Sequence, residues 1–293
     1  MHSFSIKDIE NLSGIKAHTL RIWEMRYGIV KPIRKHSKHR KYGVEELKRI
    51  LRISHLYNQG FRISRIAQMT DEDICRLTTE SQSNASQILY INQLIEASID
   101  FDEPLFRQIF NAVINKFGFE DAILEVIYPF LSKIGMLWLT GNILPAQEHF
   151  ASHIIRNKIV FETYNESVDK KISKDHYILF CPPEEYHEIP LLFVQYCLKK
   201  RGINSTFLGV NTSVDDLKIL LSKMKATHLF VHFTTNFSDQ DPDSLLTELC
   251  SSFPSLEVFA AGRLFEKTTI TYPNLKIFYQ LPDFFPILKQ PLL

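Results

Sequence analysis

His187 stands among three carboxylates in the stretch CPPEEYHEIP, with Glu184 and Glu185 just before it and Glu188 just after. An imidazole among carboxylates suits metal ligation. One ring nitrogen takes the metal while a carboxylate holds the other and raises its basicity. A solvated polar loop accounts for the same residue types, so position has to decide. A second set lies near the N-terminus, in the basic run Arg34–Lys41. Cationic side chains gathered in such a run match phosphate oxygens.

These groups need elements to hold them. After Ser5, apolar residues at 6, 9 and 12 predict a short helix. Gly14 interrupts it, and Lys16–Glu24 resumes the helical pattern, as in a helix-turn-helix whose second helix enters a major groove. All of Arg34–Lys41 except Ser37 is Lys, Arg or His; between helices such a run is a wing for phosphates. A third helix is expected over 44–58 and a shorter one near 63–69. The polar stretch 71–85 reads as linker. From Gln87 to about Ser167 four helical patterns joined by short loops predict an antiparallel four-helix bundle. Beyond it, apolar runs at 177–180, 205–210, 228–233, 257–260 and 276–279 alternate with helical patterns at 191–200, 214–225 and 242–252. That alternation indicates a doubly wound parallel sheet, which binds ligands at the C-terminal ends of its strands. His187 follows the first strand, and this favours the ligand reading.

Charge divides the chain as the elements do. Residues 1–70 hold 15 Lys and Arg against 5 Asp and Glu, a net of +10, which leaves 19 against 28 elsewhere, a net of −9. A basic small domain on an acidic body is the footprint of a nucleic-acid-binding head joined to a sensor or effector. The four cysteines have no C-x-x-C spacing and read as reduced thiols. No apolar run approaches the roughly 18–20 residues of a membrane span, and the first residues lack a signal peptide's apolar core, so a cytoplasmic protein without membrane contact is expected.

The order I-x-x-L-x-G-I-x-x-x-T-L-R-x-W-E-x-R-Y-G, then H-R-x-Y, then a helix ending in G-F-x-I, resembles the DNA-binding domain of MerR-family regulators over residues 4–70. The resemblance implies DNA contacts by Arg21, Trp23, Arg26, Tyr27, Arg40 and Tyr42. The helical and α/β segments resemble the cobalamin-binding module of methionine synthases and of light-sensing MerR-type repressors. In that module the histidine of a D/E-x-H-x-x-G motif binds cobalt from below. Glu185 and His187 match, and Pro190 stands in place of the glycine. The resemblance further implies Gly262 in the turn after the fourth strand and Thr234 in the lining after the third, where His232 takes the place of a common serine. The W-x(9)-E-H spacing of the photoreceptor branch is met by Trp138, Glu148 and His149, with His149 as a second cobalt ligand. Taken singly, such a Trp is usually core and such a Glu-His pair a partly exposed surface.

The expected fold is multidomain, α and α/β: a winged helix-turn-helix (1–75), a linker (76–86), a four-helix bundle capping cobalamin (87–170) and a Rossmann-like cobalamin-binding domain (171–293). The expected function is transcriptional regulation without catalysis. Its partners would be double-stranded operator DNA, adenosylcobalamin or a related corrinoid, and at least one further copy of the chain, with light as a candidate signal. A corrinoid carrier or corrinoid-dependent enzyme explains Glu185 and His187 but leaves the basic head without a use. A MerR-type regulator whose sensor has lost its cofactor is the remaining alternative.

Overall fold

The computed structural model describes residues 3–32, 40–80, 87–166, 173–234 and 241–288. In the head, Ser5 and Asp8 cap the first helix reciprocally: the Asp8 N–H donates to the Ser5 hydroxyl at 3.2 Å, and the Ser5 N–H donates to the Asp8 carboxylate at 2.8 Å. This helix, α1 (Ile6–Ser13), stops at Gly14, whose φ of 74° only glycine adopts without strain. α2 (Ala17–Tyr27) follows. The short strand β1 (Phe4–Ser5) pairs antiparallel with β2 (Lys41–Tyr42), forming the base of the expected wing; the wing residues Arg34–His39 lie outside the described residues. α3 (Val44–Asn58) buries Leu47, Ile50, Leu51, Ile53 and Leu56, and α4 (Ile63–Ile66) is a single turn.

Part of the polar stretch read as linker is helical. Residues 71–80 form α5 (Asp71–Glu80), because Thr70 and Asp73 cap it reciprocally and three acidic residues occupy its first turn. Ile74 and Thr78 are its buried side. Of residues 76–86, then, 76–80 are helical and 81–86 fall outside the described residues.

The bundle helices are α6 (Gln87–Ile99), α7 (Glu103–Phe117), α8 (Phe119–Ala122), α9 (Tyr128–Leu139) and α10 (Pro145–Asn165). A π-helical turn over Ile123–Ile127 joins α8 to α9. Phe119–Leu139 is in fact long and apolar enough to cross a membrane by composition alone, which the sequence reading passed over. Ala122, Ile123, Val126, Ile127, Phe130 and Ile134 on it are fully buried. Phe106 makes edge contacts with Phe110, Phe130 and Phe150, and the Gln147 amide donates to the Ile99 carbonyl at 2.7 Å.

The head and the bundle as far as the middle of α10 belong to one compact unit, Met1–Ile154, and the rest of the chain, Ile155–Leu293, forms the other. Ion pairs tie α3 to the end of α6. Lys48 reaches both oxygens of Asp100 at 2.6 and 2.8 Å, and Arg52 donates twice to Glu96 at 2.7 and 3.1 Å. Lys133 on α9 donates to the Leu12 carbonyl at 3.2 Å, near the end of α1.

In the second unit β3 (His176–Phe180), α11 (Ile189–Lys200), β4 (Asn204–Gly209), α12 (Val214–Leu221), β5 (His228–His232), α13 (Pro242–Ser252), β6 (Glu257–Ala261) and β7 (Leu275–Phe278) follow the expected alternation. The five strands are parallel in the order β4-β3-β5-β6-β7. The chain leaves β3 for one neighbour and returns to the other, so the switch in strand order lies between β3 and β5. Loops after these two strands meet at the sheet's C-terminal edge, the usual ligand position of such folds.

Candidate functional site

Glu185 is the centre of this edge. Its carboxylate is fully buried, and a buried carboxylate is stable only if donors surround it. The His187 backbone N–H donates to Oε1 at 2.8 Å, and the His187 ring Nδ1 meets the same oxygen at 2.6 Å. The Thr234 N–H, from the loop after β5, donates to Oε2 at 2.6 Å. With Nδ1 committed to a carboxylate, the ring presents Nε2 as its basic nitrogen, and the side chain is 45% exposed. This is the tautomer and orientation that imidazole ligation needs. The solvated-loop alternative fails, because the loop is built around a buried carboxylate.

Neighbouring backbone supports the loop. Glu184 adopts φ 62° and donates its N–H to the Asn211 side chain at 3.3 Å, and Asn211 itself lies at φ 57°. Two left-handed residues thus tie the loops after β3 and β4 together. Pro190 lies in the first turn of α11, where its missing N–H and fixed φ suit a helix start; this is a local reason for proline in place of glycine. The Cys181 thiol, buried beneath the loop, donates to the His187 carbonyl at 3.8 Å.

Gly262 has a sharper requirement. At φ 130°, a Cβ on it would lie 2.2 Å from the Phe233 carbonyl oxygen. Its bare backbone therefore lets the Phe233–Thr234 segment approach, and this carries the Thr234 N–H to Glu185. His232, expected from sequence to take the serine's place, sits one step behind: its Nε2 meets the Thr234 hydroxyl at 2.7 Å, and its ring is buried. Burial pushes its pKa down to about 4, so the ring is neutral. Contact with Glu185 belongs to Thr234 instead.

In the head, Arg21, Arg26 and Tyr27 are exposed on α2, beside Met25 and Ile22. Two of the expected DNA-contact residues are enclosed. Trp23 is 4% exposed and packs edge-on to Tyr57; Tyr42 is 0% exposed and donates its hydroxyl to Glu24. Burial and the Glu24 carboxylate both raise the Tyr42 pKa, so its hydroxyl stays a donor. Glu24 also pairs with Arg40 at 3.3 Å, so one carboxylate fastens the start of β2 to α2. Sequence reading missed this role of Glu24, and Trp23-Glu24 in the motif was the signal available.

In the bundle, Trp138 is partly buried near the end of α9, and Glu148 and His149 occupy the first turn of α10. Glu148 accepts from the Ser152 hydroxyl and lies 3.8 Å from His149 Nε2, whose side chain is 70% exposed. Glu148 and His149 thus adjoin, as the residue types alone would suggest.

Comparison with known proteins agrees with the head and with the bundle. Residues 4–73 match the MerR HTH family regulatory protein profile and residues 90–160 the B12 binding domain profile. The chain combines a MerR-type head with a B12-binding domain. It is homologous to two repressors of Myxococcus xanthus. The HTH-type transcriptional repressor CarH is 25% identical over 268 residues, 89% of either chain, and the HTH-type transcriptional repressor CarA is 25% identical over 258 residues, 85% of this chain and 84% of that one. Among solved structures, the Methanosarcina barkeri monomethylamine corrinoid protein aligns with 68% of this chain and 96% of its own, with a TM-score of 0.50 and 13% identity. That likeness is one of fold.

The donor set fits a corrinoid. Among the described residues no group of three or more His, Cys, Asp or Glu side chains is placed to hold a bare ion. One imidazole backed by a carboxylate suits a metal whose other positions a macrocycle already fills.

Proposed function

We propose that the protein is a DNA-binding transcriptional regulator, not an enzyme, whose C-terminal unit senses a cobalamin and thereby modulates operator binding. The observation that carries this reading is the Glu185–His187 pair at the strand switch of a chain whose head is MerR-type. A bound cobalamin would supply a cobalt ion that accepts an imidazole donor. His187 would hold it through Nε2, Glu185 would fix the imidazole tautomer, and the Phe233–Thr234 segment over Gly262 would line the approach. Arg21, Arg26 and Tyr27 contact DNA directly, with Arg40 reaching phosphate from the wing, while Trp23 and Tyr42 brace the contact surface from within.

The finer assignment is adenosylcobalamin as the form, light as the signal, and Trp138, Glu148 and His149 as further cofactor-binding residues, His149 as a second cobalt ligand. The homologous regulators make a cytoplasmic protein the simplest reading, and two-fold operator readout makes a homodimer the least functional unit. A spectrum taken after incubation with adenosylcobalamin in darkness, repeated after illumination alongside mass and operator affinity, tests all of this. Uptake of colour with a light-dependent change in mass and affinity is expected. A colourless protein retires the cobalamin reading and promotes a cofactor-free sensor. Unchanged mass and affinity on illumination remove the light switch alone.

A further inference from the structure

We propose that His232 is a positioning residue for the His187 imidazole, acting through Thr234 and Glu185. The ladder between β5 and β6 ends at the pair His232–Ala261, and one more bond, from the Phe233 N–H to the Ala261 carbonyl at 3.0 Å, holds the next residue. Thr234 lies beyond that bond. Two contacts fix it: its N–H on Glu185 Oε2 at 2.6 Å and its hydroxyl on His232 Nε2 at 2.7 Å. Alternate residues of extended chain share a face, so a histidine at position 232 is well placed to reach the side chain at 234.

The hydrogen on the His232 ring follows from its surroundings. Burial keeps the ring neutral, so one nitrogen carries a hydrogen and the other a lone pair. Nδ1 is buried and meets no partner among the described residues. A hydrogen there would be a buried, unsatisfied N–H, at about 1–3 kcal/mol. On Nε2 it donates to the Thr234 oxygen instead. His232 is thus a donor that fixes the Thr234 side chain as acceptor, holding the backbone N–H of the same residue toward Glu185. Glu185 Oε1 is then left to His187, which it engages by the backbone N–H and by Nδ1. The whole relay runs His232, Thr234, Glu185, His187.

The inference rests on the cobalamin reading only for its affinity arm. In full-length protein without added ligand, nitrogen-15 NMR of the histidine rings reads the His187 tautomer directly. The parent should show hydrogen on Nδ1. His232→Leu should give mixed His187 tautomers, whereas His232→Gln, whose amide can still donate to Thr234, should restore the parent pattern. Thr234→Val keeps the backbone N–H but removes the acceptor, so it should behave like His232→Leu; it also serves if the leucine variant fails to fold. For adenosylcobalamin in darkness, His232→Leu should bind about 10–100-fold more weakly, the usual effect of losing outer support for a metal-binding histidine. A histidine with a merely structural role would leave the His187 tautomer unmoved. If His232→Leu or Thr234→Val keeps the parent tautomer, the proposal is overturned. If the parent takes up no cobalamin, the functional reading fails while the nitrogen spectra still decide on His232.

Discussion

Two carboxylates, Glu24 in the head and Glu185 in the α/β unit, each hold a residue assigned to ligand contact. Glu24 is 7% exposed and gathers Arg40 and the Tyr42 hydroxyl; Glu185 is fully buried and gathers His187 and Thr234. What differs is the charge of the residue held. Arg40 carries a permanent cation, so a phosphate that approaches it competes with Glu24 for the same donors. As the proposed cobalt ligand, His187 would coordinate as a neutral ring, and the carboxylate behind it would make the opposite nitrogen a better donor. One carboxylate would be a rival of the ligand and the other its support.

The strongest way to break the comparison is to remove what holds the Glu185 side together. Gly262→Ala forces a Cβ onto the Phe233 carbonyl and imposes a backbone conformation reserved for glycine, at a combined cost of about 4 kcal/mol. Urea denaturation should show that loss in the α/β unit, and any protein that remains folded should bind cobalamin poorly. Unchanged denaturation would mean that the loop yields and Gly262 is not a support.

Acid sharpens the difference next. The folded His232 pKa of about 4 lies below the ordinary imidazole value of about 6.5. Between these two values the unfolded chain binds a proton that the folded chain refuses, so stability falls as pH falls, by about 3 kcal/mol across the whole interval. Burial lowers the pKa of His55 and His228 too, with the same sign. Chemical denaturation at pH 7 and pH 4.5 measures the loss, and His232→Gln should flatten it.

Glu185→Gln should reduce cobalamin affinity by roughly 10–100-fold, read by spectroscopic titration, with DNA binding by the head left intact. The smallest effect is the most diagnostic. Glu24→Gln removes a competitor of phosphate, so operator affinity should depend more steeply on salt, the slope of log K against log salt steepening by about 0.9 for one regained contact. A shallower slope would assign Glu24 to support, as Glu185 is.

Much of this was legible in the sequence, and what escaped has a common cause. The strand–helix alternation is local, so spacing exposes it, and the Glu185–His187 pair is short enough for a family motif to carry. The partner of Glu185 at Thr234 is 49 residues away, and the reason for Gly262 lies in the carbonyl of Phe233; neither leaves a periodic trace. The burial of Trp23 and Tyr42 escaped because a motif records residues that matter without saying whether they touch DNA or hold up those that do. α5 was hidden by its polar composition, although Thr70 followed by Asp73 was a capping signal. The net charge of the head was read as facing DNA, yet Lys48 and Arg52 face Glu96 and Asp100 within the same unit.

The thiol under the His187 loop has a chemical consequence of its own. Sulfur as thiolate is a soft ligand and a reductant, and either property would trouble a cobalt centre nearby. Burial first, then Glu185 and Glu188, raises the Cys181 pKa far above neutrality, and its hydrogen is spent on the His187 carbonyl. Burial, with help from the carboxylate behind the His187 ring, thus silences the neighbouring sulfur. Cys197 is buried as well, and burial raises the buried Cys250 to about 11. Cys75 alone among the four is exposed, so oxidants and alkylating agents meet a cysteine of the head before any in the sensor.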